Sequence, residues 1–320
     1  MIESFYIVSA DGRLDSPLSG DCVMALGSFD GVHVAHKAIL NRAIELKESV
    51  GAALTGAWCF SELPANVIGK KNIPMLCSLE EKISRILATG IDFVAVGDFS
   101  LLSGVAAEDF VDRLLIGELH CVGAVCGFNH RFGHLGLGTH DLLIDRFGED
   151  HVGIVPEITM FNETVSSTAI RGHISGGEFD KAMAMLNQPV YLHAPVISGK
   201  HLGHALGFPT ANQRFPEKYI IPKKGIYATV CYTEDGRRHI GVSNVGIRPT
   251  ITDGSDSHAI NCETYICDFD ECIYSQMLRV EFCKYLRQEQ KFTSITDLKR
   301  QIARDAENAI AYFKDQGEAL

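Results

Sequence analysis

The apolar pattern of this chain changes period part-way along, and that change restricts the fold more than any single residue does. In the first half, short continuous apolar runs alternate with helical stripes. Cys22 to Gly27 is such a run, and Ile39, Ala43, Leu46 and Val50 follow at helical spacing. Ala52 to Phe60 is the next run. Ser78 with Glu81 forms a capping box ahead of Leu79, Ile83, Ile86 and Leu87, and Gly90 is a stop. Ile91 to Val96 predicts a strand, Ala107 to Leu115 a helix and Cys121 to Cys126 a further strand. Buried strands alternating with helices predict βαβ units around a parallel sheet.

Beyond the helical segment Glu178 to Leu186 the pattern becomes β-rich. Tyr227 to Tyr232, His239 to Val245, Glu263 to Cys267 and Leu278 to Phe282 read as strands, separated by turns such as Glu234-Asp235-Gly236 and Thr252 to Ser255. An antiparallel barrel or sandwich follows. One last helix starts at Ser294 with Asp297 and carries the stripe Leu298, Ile302, Ala309, Phe313, so it packs on the outside of that sheet. The boundary falls near Gln188-Pro189, giving domains 1–186 and 187–320.

Bulk properties exclude several classes. The 320 residues suit two domains, and 46% hydrophobic with 22% charged residues is ordinary for a globular protein. No apolar run reaches the ~18 residues a membrane span needs, and Glu3 stands where a signal peptide would carry Lys or Arg. The ten cysteines contain no C-x-x-C spacing and read as thiols of a reducing compartment. The expected location is cytoplasmic. A net charge of −11 argues against nucleic acid, so an anionic ligand must be held by local groups. Self-association is left open.

Two segments carry chemistry. In Gly27-Ser28-Phe29-Asp30-Gly31-Val32-His33-Val34-Ala35-His36 a strand ends in a glycine-punctuated turn and a helix begins near the histidines. A helix N-terminus offers free N–H groups and partial positive charge to a phosphate. His33 and His36, three positions apart, can both donate to a developing pyrophosphate. A single histidine here reads as incidental to a βα turn; the pair in this setting does not.

This pattern resembles the G-x-F-D-G-x-H-x-G-H signature of the FAD synthetase branch of the nucleotidyltransferase superfamily, whose paired histidines grip ATP phosphates. Cys126 to Gly133 resembles that family's G-x-[ND]-F-x-F-G segment, and Ser166-Ser167-Thr168-Ala169-Ile170-Arg171 its I-S-S-T-x-I-R motif. The resemblance makes His33 and His36 the catalytic pair and assigns Gly27, Phe29, Asp30, Asn129 and Arg171 to the nucleotide. Three departures stand out. Ala35 replaces a glycine, His130 replaces a phenylalanine, and Phe60-Ser61-Glu62-Leu63-Pro64 lacks a Pro-His pair. If that glycine serves a positive φ, alanine costs on the order of 1 kcal/mol.

The second segment, Gly199 to Asn212, ends in Gly207-Phe208-Pro209-Thr210-Ala211-Asn212. Thr210 and Asn212 lie on one side of an extended segment and can offer oxygens to Mg²⁺, which keeps most of its waters and takes phosphate oxygens for the rest. Pro-Thr-Ala-Asn alone is also a common turn. Gly225-Ile226-Tyr227, Ser243 to Thr250, Glu263-Thr264-Tyr265-Ile266 and Leu286 to Phe292 follow in the order of a riboflavin kinase. Together the two halves resemble the bifunctional bacterial riboflavin kinase/FAD synthetases. The resemblance implies a Rossmann-like α/β nucleotidyltransferase domain followed by an antiparallel β-barrel kinase domain with a C-terminal helix.

The resemblance further implies ATP and Mg²⁺ with riboflavin, FMN and FAD as substrates and products. It makes Glu263 the base that frees the riboflavin hydroxyl, places Gly207, Thr210 and Asn212 on Mg-ATP and sets Arg287 near the flavin. Adenylylation needs no base, because the FMN phosphate is already a nucleophile. Two other readings stay open: a kinase with a decayed first domain, and a flavin-binding sensor that consumes no ATP. No G-x-x-x-x-G-K-[ST] loop occurs, and Gly133 to Gly138 has the wrong spacing for a dinucleotide fingerprint.

Overall fold

The computed structural model describes residues 5–9, 13–69, 72–198, 207–247 and 260–317. Its two compact units are Met1–Ala169 and Ile170–Leu320. The segment 199–206, the Arg248-Pro249-Thr250 motif and the turn from Thr252 to Ser255 lie outside the described residues.

The first unit is a parallel sheet of β1 (Phe5–Val8), β2 (Cys22–Leu26), β3 (Leu54–Phe60), β4 (Phe93–Gly97), β5 (Cys121–Gly127) and β6 (Val152–Val155), in the order β1-β4-β3-β2-β5-β6. Its central strands are buried on both faces, which is why they read as continuous apolar runs. Cys22, Met24 and Leu26 enter one core with Trp58 and Phe93, while Val23 and Ala25 enter the other with Leu40 and Val94. The chain runs outward from β2 through β3 to β4 on one side, then returns to place β5 on the other side. The crevice beyond the ends of β2 and β5 is therefore the switch point where α/β sheets bind ligands.

The helix after β2, Val34–Val50, buries Ile39, Leu40, Ala43 and Leu46, and Gly51 caps it at φ 74°. The expected capping box is present at helix Leu79–Leu87, where Ser78 accepts from Glu81 N–H and Glu81 accepts from Ser78 N–H. The helix expected over Ala107 to Leu115 differs. After one α-turn at Ala107–Asp109 it widens into π-type turns over Phe110–Glu118, with Leu119 N–H reaching back five residues to Leu114 O at 3.0 Å. Spacing of apolar residues does not distinguish the two windings over so short a stretch.

The second unit is an antiparallel barrel of β9 (Tyr191–Pro195), β10 (Thr210–Arg214), β11 (Gly225–Tyr232), β12 (Arg238–Ile247), β13 (Ile260–Ile266) and β14 (Met277–Arg287). A small hairpin, β7 (Thr159–Met160) with β8 (Glu163–Thr164), precedes it within the first unit. The barrel order is β10-β13-β12-β11-β14-β9, and Ile197 N–H to Asn212 O at 2.8 Å draws the two edges together. Gln213 reinforces the seam from inside, donating to Ala194 O and Leu278 O, both at 2.7 Å.

Alternation along β11 sorts the two faces. Tyr227, Thr229 and Cys231 are fully buried, with Thr229, Ser243 and Thr264 joined as a hydroxyl chain at 3.0 and 2.8 Å. Ile226, Ala228 and Val230 face outward, and with Ile240 and Val242 they meet Ala309 and Phe313 of the final helix. That helix, Ile295–Asp315, starts at Ser294, which accepts from Asp297 N–H, and lies on the outer face of the barrel as its stripe requires.

Candidate functional sites

The turn after β2 is strained and fastened. Phe29, Gly31 and Val32 take left-handed conformations, at φ 50°, 83° and 47°. Each non-glycine of these costs roughly 1–3 kcal/mol, and full burial of both side chains holds them there. A Cβ at Gly27 would stand 3.0 Å from the Phe29 ring, so the glycine lets that ring pack close over the end of β2. Asp30, 1% exposed, accepts from Leu76 N–H at 2.9 Å, and its backbone carbonyl accepts from Ser167 Oγ at 2.9 Å. Gly31 N–H donates to Cys77 Sγ at 3.3 Å, and Arg85 reaches Gly31 O at 3.4 Å. Segment 76–85 thus clamps the turn from behind.

His33 is the N-cap of helix Val34–Val50, its Nδ1 accepting from His36 N–H at 3.3 Å. That bond puts the proton of a neutral His33 on Nε2. The two imidazoles stack with centroids 3.5 Å apart, and the Phe29 ring meets His36 edge-on at 5.2 Å. Burial, then the neighbouring His33, then Lys82, hold the His36 pKa well below the usual histidine range, so His36 is neutral at pH 7. Its Nδ1 is buried without a hydrogen-bond partner among the described residues. The two imidazoles expected to donate together form a stacked pair that resists double protonation.

The other first-half residues fall on three supports. Asn129 is exposed in the turn after β5, closed by His130 N–H to Gly127 O at 3.0 Å. Leu26 of β2 pairs with Cys126 of β5, so this turn leaves the sheet beside the histidine turn. His130 lies over Phe132 at 6.0 Å, and burial lowers its pKa to about 4. Gly133, at φ 72°, could not carry a side chain, since a Cβ would come within 2.5 Å of Ala107 Cα. Ala35 sits in the first turn of helix Val34–Val50 and is absent from the positive-φ positions, so alanine brings no backbone strain. Arg171 is half-buried on helix Ser167–Gly176 and belongs to the second unit.

Sequence reasoning missed Lys82. Only 2% of it is exposed, its ammonium donates to Phe60 O at 2.9 Å, and no carboxylate pairs with it among the described residues. The signal was available: Lys82 falls three residues after Leu79, on the apolar face of its helix.

In the second unit, β10, β13 and β12 set three polar side chains in a row. Glu263 lies opposite Asn212 on one side and opposite Asn244 on the other. Thr210 lies opposite Tyr265 two residues along, on the same outer face. Cys262 and Thr264, between them, point into the barrel and are fully buried. Glu263 thus lines a cavity of about 400 Å³ between the barrel wall and the final helix, bounded by Thr210, Asn244, Tyr265 and Phe208 on the barrel side and Leu298, Ile302 and Asp305 on the helix. Thr210 also lines an adjoining cavity of about 390 Å³ with Pro209, Ile266, Phe269 and Tyr274. Gly207 precedes it at φ 82°.

Arg287 reaches the first of these cavities, but most of its donors are engaged. Nε bonds Asp305 Oδ1 at 2.9 Å, Nη2 bonds Oδ2 at 2.6 Å, and Nη1 bonds Gln288 O at 2.9 Å. Asn212 Nδ2 donates to Thr210 O at 3.1 Å, which leaves the amide oxygen as the acceptor of that side chain. No cluster of three or more His, Cys, Asp or Glu side chains suits a metal among the described residues. Thr210, which lines both cavities, and Asn212 two residues along the same strand carry neutral oxygens of the kind Mg²⁺ takes when it arrives with phosphates and keeps its waters.

Residues 15–169 match the FAD synthetase family and residues 186–313 match the riboflavin kinase family. The chain is 32% identical to the bifunctional riboflavin kinase/FMN adenylyltransferase of Bacillus subtilis, over 92% of this chain and 93% of that one. The Listeria monocytogenes protein of the same name is 34% identical over 91% and 92%. A crystal structure described as a macrolide-efflux protein from Streptococcus pneumoniae shares the fold, with TM-score 0.85 and 24% identity over 95% of this chain and 98% of that one. No helix among the described residues is long and apolar enough to cross a membrane. With both halves matched in order and relatives above 30% identity along nearly the whole length, the chain belongs to the bifunctional riboflavin kinase/FMN adenylyltransferase family.

Proposed function

We propose that the family's two activities divide between residues 1–186 and 187–320, each with its own nucleotide site. Riboflavin lies in the cavity bearing Glu263, and ATP enters beside Thr210 from the adjoining cavity. Glu263 accepts the proton of the primary hydroxyl as its oxygen attacks the γ-phosphate, giving FMN and ADP. Thr210 and Asn212 would hold Mg²⁺ together with the phosphates, and the ion would supply neutralising charge for the transferring group. The aromatic walls Phe208 and Tyr265, 5.2 Å apart edge to face, offer the flat flavin ring an apolar seat. Arg287, tied to Asp305, contributes the plane of its guanidinium and fixes the final helix over the cavity.

At the first site the FMN phosphate attacks the α-phosphate of a second ATP and pyrophosphate leaves. His33 donates through Nε2, neutral His36 packs behind it, and the free N–H groups of helix Val34–Val50 complete a nest of donors. Gly27, Phe29 and Asp30 shape this turn, and Asn129 serves the nucleotide. Helical geometry at Ala35 supports an active first domain over a decayed one. All ten cysteines are free thiols, which supports a cytoplasmic location, and the net charge of −11 supports small-molecule partners over nucleic acid.

The observation that carries the kinase reading is Glu263, in register with Asn212 and Asn244 on the paired strands at either side and lining one cavity with Asn244 and Thr210. Glu263→Gln keeps the shape and removes the base. With riboflavin, ATP and Mg²⁺, FMN formation followed by chromatography falls by ~10²-fold or more. Undiminished turnover removes Glu263 from the mechanism.

A further inference from the structure

We propose that Asn244 determines specificity for the flavin's polyol chain, its amide oxygen accepting a hydrogen bond from the secondary hydroxyl next to the reacting end. The inference rests on the reading of the Glu263 cavity as the riboflavin site. Asn244 lies directly opposite Glu263 on the neighbouring strand, and both line that cavity. Directly opposed residues carry side chains on the same face, Cβ atoms ~5 Å apart. Asn244 Oδ1 is buried, and no donor among the described residues reaches it.

An enclosed acceptor without a partner costs about 1–3 kcal/mol, a penalty that a ligand bringing its own donor removes. Of the side chains that share the cavity, Ile226 and Val242 are apolar, Glu289 is an acceptor, and Asp305 and Gln288 take three of the N–H groups of Arg287; Gln290 and Tyr265 carry donors, but neither bonds Asn244 Oδ1. Riboflavin brings a run of hydroxyl donors that ends at the reacting carbon. With the terminal hydroxyl at Glu263, the next along the chain reaches the position opposite, at Asn244. The ring N–H lies at the far end of the molecule and is out of reach.

The test compares kcat/KM of the full-length protein for riboflavin and for a flavin lacking the hydroxyl next to the terminal carbon, with ATP and Mg²⁺. The native protein prefers riboflavin by about 10- to 100-fold, the range of one hydrogen bond to an otherwise unpaired buried group. Asn244→Leu and Asn244→Ala, two separate ways of removing the acceptor, bring the ratio to within about 3-fold, and Asn244→Ser restores part of it. Thermal unfolding identifies any variant that fails to fold, and the other then decides. A native ratio in a folded Leu or Ala variant overturns the proposal, as does a native protein indifferent to the missing hydroxyl. Glu263→Gln, run alongside, separates the two levels: its loss of turnover upholds the cavity reading even where Asn244 fails, and its full activity removes that reading.

Discussion

The histidine turn of the first unit and the carboxylate row of the second are both nucleotide sites on the proposed reading, and they are built from opposite chemistry. The first gathers donors and buried cations: stacked His33 and His36, Lys82 against Phe60 O, and Arg85 against Gly31 O. The second gathers acceptors: Glu263 between two asparagines, with Glu289 and Asp305 in the same cavity. The nucleophile accounts for the difference. A phosphate needs no base and must be drawn to another anion, whereas a neutral alcohol needs its proton removed.

The largest break in this comparison comes from Glu263→Gln, described above, which stops the kinase and leaves the first site intact. The reciprocal change is His33→Ala. It removes the N-cap acceptor and the Nε2 donor together, and FAD formation from FMN and ATP falls about 10²-fold while FMN formation from riboflavin holds. Equal loss of both products contradicts separate sites.

A smaller effect concerns protons. His130 is held at about 4 and His36 is likewise depressed, both chiefly by burial. Their folded pKa values lie below the unfolded value near 6.5, so the unfolded chain takes up the protons first. The stability they contribute is full above pH 6.5 and is lost as pH falls toward 4. Each group steepens that fall by at most about 1.4 kcal/mol per pH unit. His130→Phe removes one of them, and the loss of thermal midpoint between pH 7 and pH 5 becomes shallower. An unchanged slope places the linkage elsewhere.

The smallest effect belongs to Ala35→Gly. Position 35 is helical, so glycine gains no permitted conformation and costs up to about 1 kcal/mol of helix stability. FAD formation does not increase; a clear increase means that the ligand approaches too closely for a methyl group.

Legibility in the sequence differed between the two regions. Strands buried on both faces and helices with clean stripes announced the parallel sheet, and Ser78 with Glu81 and Ser294 with Asp297 fixed two helix starts. Edge strands Phe5–Val8 and Val152–Val155 were missed because four residues carry too little pattern. Strand Thr210–Arg214 was read only as extended, since its polar residues serve the cavity and the seam: Gln213 bridges strands that no local rule connects. The family resemblance named Glu263 and the histidine pair, whereas the clamp from Leu76, Cys77 and Arg85 joins segments some fifty residues apart. The row that unites Asn212, Glu263 and Asn244 required the strand register, which a single sequence does not supply.

The central claim is that phosphorylation and adenylylation run on separate sites, and the Glu263→Gln protein tests it most directly. Supplied with FMN, ATP and Mg²⁺ it forms FAD at the native rate, and supplied with riboflavin instead it accumulates neither FMN nor FAD. Loss of FAD formation from FMN, in protein that unfolds at the native temperature, contradicts the account.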